Sequence, residues 1–544
     1  MNVFFTENLI LITLLLIFFG ALVAPFIVRL LPKYAPWILC VIPLVPFIAF
    51  ATNTPELIAG KTFIETYTWV DALGINFKFR LDGLSLLFAL LVTGIGSLIV
   101  VYGGTYLAND KHLSKFYAYL FVFMGSMFGV VVSDNIFVLF VFWELTSISS
   151  YLLIGYKHGY EASRKSALQA LLVTGTGGLA LMAGFILIAN VAGSPNISDW
   201  VANGHLVAHS IYFELILILV LLGAFTKSAQ FPFHFWLPNA MVAPTPVSAY
   251  LHSATMVKAG VYLLARLNPY FAASSEWQYS LIGVGAITMI FGAVWALFQS
   301  DLKRILAYTT ISALGVLVFF IGIGSTKAIQ GAMVFLLAHA LYKGGLFMVA
   351  GNIDHSTGTR DINKLSGLFK KMKFTGISAI LASLSLAGFP LLLGFIAKEL
   401  LYEAATKAPF MPLFFTLLIF ITGAISVYLA LVMGWKILFG NDSQPAAHEV
   451  KLGMFIGPVV LSSLGFVFGM FPGISIEGLL ATTSFSVVPG SDFLKLKIWH
   501  GFNFVLLLSG ITLVSGWVIY RKASIFKNTS KKLELDRKST RLNS

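Results

Sequence analysis

About fifteen apolar runs, most of them close to the roughly 20 residues a helix needs to cross a bilayer, follow one another along this chain. They lie near 9–31, 36–52, 83–107, 115–132, 135–156, 168–192, 212–240, 246–266, 278–299, 304–323, 329–352, 374–404, 411–438, 452–471 and 498–520. In hydrocarbon every backbone N–H and C=O needs a partner within the protein, and long continuous apolar runs meet that demand as helices. The expectation is an all-α polytopic membrane protein. Only 11% of residues are charged, against about 25% in soluble domains, which removes the soluble alternative. The net charge of +13 would suggest a nucleic-acid partner if it were clustered. Most of it stands in loops between spans, where basic residues set topology, so no nucleic acid is expected.

The first eight residues carry Glu7 and no Lys or Arg, while Arg29 and Lys33 follow the first span. That is the reverse of a signal peptide, so the first helix is expected to stay. With the N-terminus outside, loops after odd-numbered spans hold about 21 Lys and Arg, and the alternate loops about 8. The first group includes Lys157, Arg164, Lys165, Arg360, Lys364, Lys370, Lys371 and Lys373. The bias predicts an outside N-terminus and a cytoplasmic tail in the plasma (inner) membrane.

Two spans are interrupted in the same way. Span seven, at 212–240, is longer than a straight crossing needs and carries Gln230-Phe231-Pro232. Span twelve carries Gly388-Phe389-Pro390 followed by Gly394. Lys227 lies just before the first interruption and Lys398 just after the second. Paired broken helices five spans apart point to inverted repeats. The predicted organisation is helices one to three with an external loop at 53–82 (1–110), a first repeat (111–270) and a second repeat (271–440). Helices fourteen and fifteen with a tail follow (441–535).

Ionisable residues inside the spans are the candidate site: Glu144 in span five, Lys227 in span seven, His252 and Lys258 in span eight, His339 and Lys343 in span eleven, and Lys398 with Glu399 in span twelve. A lysine at bilayer depth costs roughly 2.5–3.5 kcal/mol, so it is rarely there without a partner or a task. Burial weakens a lysine's hold on its proton and a nearby carboxylate restores it, so such a row can pass protons through intervening water. Structural readings compete. The lesser readings make Glu144 and Lys227 an ion pair locking two helices, His252 a packing residue, and Lys258 a snorkelling one. Glu399 reads as an end-of-helix residue, and Lys303 and Arg304 mainly as topology determinants, with proton entry as the lesser reading. Thr174-Gly175-Thr176-Gly177-Gly178 reads as a close-packing helix face. There is no phosphate-binding loop and no ligand-spaced Cys/His cluster, and Cys40 is the one cysteine. No cofactor, metal or covalent chemistry is expected.

Four stretches carry a family likeness: FWELTSISSYLLIGY (142–156), GAFTKSAQFPFHFWLPNAMVAPTPVSAYLHSATMVKAGVYLLARL (223–267), DLKRILAYTTISALG (301–315) and AHALYKGGLFMVAG (338–351). They resemble the antiporter-like membrane subunits shared by complex I and the Mrp multi-subunit cation/proton antiporters. Lys258 and the FPFHFWLP run resemble the Mrp branch, in the N-terminal part of its A-subunit. The resemblance implies a hetero-oligomer with other membrane subunits that exchanges protons for Na+ or another monovalent cation. It implies a proton path through Glu144, Lys227, His252, Lys258, His339, Lys343 and Lys398. Some relatives carry a second histidine where Phe335 stands here. The alternative is a proton-pumping subunit of NADH-quinone oxidoreductase. The A-subunit is longer in the resembled family, and residues 536–544 are what a sequencing-library adapter encodes, so they are expected to be an artefact.

Overall fold

The computed structural model describes residues 8–70, 75–200, 206–444, 446–499 and 501–522, so the expectation for 536–544 lies outside the described residues. The chain runs α1 (Leu9–Leu30), α2 (Ala35–Ile58), β1 (Phe63–Val70), β2 (Ile75–Leu81), α3 (Gly83–Tyr106), α4 (Leu113–Val132), α5 (Ile136–Ile154) and α6 (Glu161–Ala192). It continues through α7 (Phe213–Lys227), α8 (Thr245–Ser253), α9 (Met256–Phe271), α10 (Ser275–Leu297), α11 (Leu302–Ile323) and α12 (Thr326–Thr357). The remainder is α13 (Lys373–Ala387), α14 (Leu393–Thr406), α15 (Pro412–Lys436), α16 (Leu452–Met470), α17 (Glu477–Val487) and α18 (Phe504–Arg521). Among the described residues, 12 helices are long and apolar enough to cross a membrane. This is a mostly helical polytopic membrane protein.

Helix starts follow local chemistry. Asp82, Asn135, Asp301 and Ser325 each accept a backbone N–H of the first turn of α3, α5, α11 and α12, satisfying donors that the helix itself leaves free. The centre of the bundle is α11 and α12, whose apolar windows are 94% buried; α18, at 17%, is peripheral. α10 lies flat on α11 through Gly285, Gly292 and Gly315, where a Cβ would strike the facing backbone.

Three expectations need correction. The chain is not purely helical, because β1 and β2 form an antiparallel hairpin inside the expected external loop, and helix α2 extends to Ile58. A short helix, α17, occupies a stretch read as loop. Span eight is not continuous: α8 stops at Ser253 and α9 starts at Met256. Thr255 Oγ1 bonds the Tyr250 carbonyl at 2.7 Å and Ser253 Oγ the Ala249 carbonyl at 2.5 Å. The Thr255 hydroxyl reaches back five residues across the break, where periodicity alone predicts an unbroken helix.

The hairpin is fastened to α1 by one buried side chain. Glu65 accepts the Ile10 N–H at 2.8 Å and the Leu11 N–H at 3.0 Å, taking orphan donors at the start of α1. Burial pushes the Glu65 carboxyl up, and those bonds with Tyr67 offset this only in part. A raised carboxyl binds its proton more tightly folded than unfolded. Its contribution to stability is full below the unfolded value and is lost as pH rises through the folded one. Glu65→Gln, neutral throughout, should therefore flatten the decline of thermal stability with rising pH in that window. Thermal unfolding of the purified protein in a pH series checks this; an unchanged slope would reject the assignment.

Candidate functional site

Backbone interruptions create the site. α7 is 15 residues long, about 22 Å, too short for a hydrocarbon core of about 30 Å. It ends at Lys227, and Ala229 takes a left-handed conformation (φ 49°). The irregular segment beyond it has its backbone groups answered: Phe231 N–H bonds Thr288 Oγ1 at 3.0 Å, and the Trp236 indole bonds the freed Thr226 carbonyl at 3.0 Å. Irregular backbone at membrane depth is tolerated on this condition. The second interruption separates α13 from α14 across Gly388-Phe389-Pro390, with Gly388 (φ 67°) and Leu391 (φ 72°) left-handed. A Cβ on Gly388 would lie 2.9 Å from Lys398 Cδ, so glycine there serves both the backbone turn and the lysine's approach.

The five lysines of the axis are all buried, and each rests on oxygen atoms. Lys227 Nζ, fully buried, donates to the Trp143 carbonyl at 3.0 Å and to Ser147 Oγ at 2.7 Å. Lys258 donates to the Leu336 carbonyl on α12 at 3.1 Å, which excludes snorkelling to the interface. Lys343 donates to the Leu306 carbonyl at 3.2 Å and to Thr309 Oγ1. Lys398 donates to the Gly388 carbonyl at 2.8 Å, at the negative end of the half-helix α13. The fifth is Lys303, read from sequence as a topology determinant. It is 1% exposed and donates to the Ala243 carbonyl at 2.6 Å, in the segment after the first interruption.

The expected Glu144–Lys227 ion pair is absent as a direct contact among the described residues. Trp143 and Ser147, one turn apart on α5, present their oxygens to Lys227, whereas Glu144 points a third of a turn away. It lies against α6, where a Cβ on Gly178 would collide with Glu144 Oε1 and one on Gly177 with Thr226 Oγ1. The glycine run packs closely, as read, and what it accommodates is this carboxylate. Glu144 and Lys227 interact through the field and not through a bond.

Further along, α9 approaches α7 at Gly260, where a Cβ would meet the Ala224 carbonyl. His252 feels the charges of Lys303 and Lys343, and His339 those of Lys258 and Lys343. Phe335 and Tyr342 flank His339 at 6.1 and 5.4 Å between ring centres. The same two residues line a cavity of about 70 Å³ that reaches Lys398, Ser385 and Thr422. That is room for about two waters at about 30 Å³ each. Several buried polar atoms on this route have no hydrogen-bond partner among the described residues: Glu144 Oε1, Gln230 Oε1, Ser248 Oγ, His252 Nδ1 and both ring nitrogens of His339. Ordered water is the usual partner of buried polar atoms that side chains and backbone leave open.

Glu399, read from sequence as an end-of-helix residue, lies buried within α14 and accepts a hydrogen bond from Ser509 on α18. Sequence reading passed over another pair. Arg266 on α9 forms a two-point buried ion pair with Asp82, at 2.5 and 2.9 Å. Asp82 lies in a loop in the sequence and Arg266 near a span end, so nothing local marks them as partners.

The family model described as "NADH:quinone oxidoreductase/Mrp antiporter, TM" matches residues 133–426, from just before α5 into α15. A second, described as the N-terminus of chain 5 of NADH-ubiquinone oxidoreductase (complex I), matches residues 68–117. The Na(+)/H(+) antiporter A-subunit of Alkalihalophilus pseudofirmus is 43% identical over 537 residues, 92% of this chain and 67% of that protein. The chain belongs to the A-subunit family of Mrp-type antiporters. The A1-subunit of the Na(+)/H(+) antiporter of Staphylococcus haemolyticus is 41% identical, over 88% of this chain and 63% of that relative. The solved structure of the Mrp complex from Dietzia sp. DQ12-45-1b contains a chain that superposes with a TM-score of 0.86 at 31% identity, covering 98% of this chain and 59% of its counterpart. The chain thus spans about two thirds of the length of its A-subunit relatives. Those relatives carry the names of transporter subunits, not of enzymes.

Proposed function

We propose that this chain is the proton-translocating part of a multi-subunit monovalent cation (Na+)/proton antiporter in the plasma membrane. Protons pass along Glu144, Lys227, His252, Lys258, His339, Lys343 and Lys398, with Lys303 as an additional member at the first interruption. The observation that supports this reading is the row of buried lysines and histidines along which several buried polar atoms have no hydrogen-bond partner among the described residues. The two interrupted segments belong to inverted five-helix repeats, residues 111–270 and 271–440 within the fifteen-span count, with the N-terminus outside and the tail cytoplasmic. Other membrane subunits complete the transporter, and Na+ or another monovalent cation is the exchanged ion.

Glu144 acts through the field on Lys227: neutralising the carboxylate weakens the lysine's hold on its proton, which then moves inward. Glu144→Gln keeps the shape and removes the charge. In vesicles bearing the assembled complex, Na+-induced collapse of a proton gradient should fall at least tenfold while the subunits still co-purify. Undiminished exchange would reject the role of Glu144. The complex I reading draws on the match at 68–117; co-purification with flavin or iron–sulfur subunits would favour it instead.

A further inference from the structure

The half-helix α13 stops at Ala387, and its last carbonyls have no following turn to take them. Those of Leu384 and Ser385 accept the Phe389 and Gly388 N–H groups. Those of Gly388 and Ala387 face the Lys398 ammonium, at 2.8 and 3.5 Å. A buried cation thus rests on oxygen atoms at the negative end of a helix.

The cavity of about 70 Å³ beside that ammonium adds hydroxyl oxygens. Ile419, Thr422, Gly423 and Ser426 line it, spaced as one face of α15. Thr422 Oγ1 donates to the Leu418 carbonyl at 2.8 Å and Ser426 Oγ to the Thr422 carbonyl at 2.9 Å. Their hydrogens are spent within α15, so lone pairs are what these hydroxyls offer. Ser385 brings a third hydroxyl from α13. No carboxylate lines the cavity among the described residues, and Glu399, whose charge Lys398 feels, bonds Ser509 on α18. Sites for Ca²⁺ and Mg²⁺ draw on carboxylates. Unwound carbonyls at the C-terminal end of a half-helix are the donors that suit Na⁺.

We propose that this cradle is a monovalent-cation site, held here by the Lys398 ammonium and taken by a partly dehydrated Na⁺ when the side chain withdraws. Like charges in close contact repel strongly in a low-dielectric interior, so the two cations exclude each other. The choice of Na⁺ rests on the exchange reading above, whereas the site rests on its oxygens.

Binding of radioactive sodium to the purified assembled complex, counted by scintillation proximity at one fixed pH, tests this. Lys398→Met removes the competing ammonium at similar side-chain length and should tighten Na⁺ binding about tenfold. Adding Thr422→Val/Ser426→Ala to that variant removes two oxygens and should reverse the gain, again by about tenfold. Adding Thr416→Val instead, a hydroxyl of α15 outside the cavity, should leave the gain in place. Na⁺ affinity unchanged by Lys398→Met would overturn the site, and so would a gain that survives Thr422→Val/Ser426→Ala. Proton exchange by Lys398→Met, measured beside binding, separates the site from the relay. Exchange lost with Na⁺ affinity unchanged removes the site and keeps the relay. Exchange kept with Na⁺ bound more tightly keeps the site and removes Lys398 from the relay.

Discussion

Lys227→Arg is expected to stop cation/proton exchange as completely as Lys227→Ala, by about a hundredfold or more in vesicles bearing the assembled complex. The arginine variant separates a structural role from a relay role. A cation needed only to bridge α7 and α5 has its oxygens waiting at the Trp143 carbonyl and Ser147 Oγ, and a guanidinium donates to both kinds of acceptor. A cation needed to release its proton is lost, because arginine stays charged in proteins. Assembly should survive the alanine change, since among the described residues no carboxylate lies within ion-pair distance of Lys227 to be left buried and unpaired. Co-purification of the other subunits checks this. Exchange retained in Lys227→Arg but lost in Lys227→Ala would make the residue a helix clamp.

The largest loss of stability should follow Asp82→Ala. Asp82 caps α3 through Ser85 N–H at 3.0 Å and holds the guanidinium of Arg266, itself only 6% exposed. Burial works to raise the Asp82 carboxyl, but the charge and hydrogen bonds of Arg266, with help from Arg80 and Ser85, outweigh it and hold it below the usual range. Removing the carboxylate strands a buried guanidinium, at a cost of about 3–5 kcal/mol. Asp82→Ala/Arg266→Met removes both charges and should recover much of that loss, because an apolar pair of similar volume is often neutral. Thermal unfolding of the two variants beside the wild type tests the pair. Additive losses would mean that the two residues do not act together.

Span positions were legible because each long helix is an uninterrupted apolar run; α1 at Leu9–Leu30 lies within a residue of the reading at 9–31. The interruptions near Pro232 and Gly388 were legible because a proline follows a long apolar run beside a lysine in both, with Gly388 and Gly394 added in the second. The α8/α9 interruption was not, since Ser253, Ala254 and Thr255 include no proline or glycine, and the Thr255 hydroxyl finds the Tyr250 carbonyl only in the fold. Side-chain direction escaped the sequence for a related reason. Glu144 and Lys227 are charged groups of opposite sign at similar depth, but helix phase turns one toward the α6 glycines and the other toward Trp143. The burial of Lys303 was not legible because, beside Arg304 at a helix start, it looks like an interface residue. Only the packed segment around Ala243 buries it. Asp82 and Arg266 lie 184 residues apart, and only the tertiary fold introduces them.

The central claim is that the buried amines and imidazoles between α5 and α14 are joined by water. A structure of the assembled complex at a resolution that shows ordered solvent tests this most directly. Water within hydrogen-bond distance of both ring nitrogens of His339, and in the cavity between Tyr342 and Lys398, is the predicted result. Apolar side chains closing that route, leaving those nitrogens dry, would contradict it.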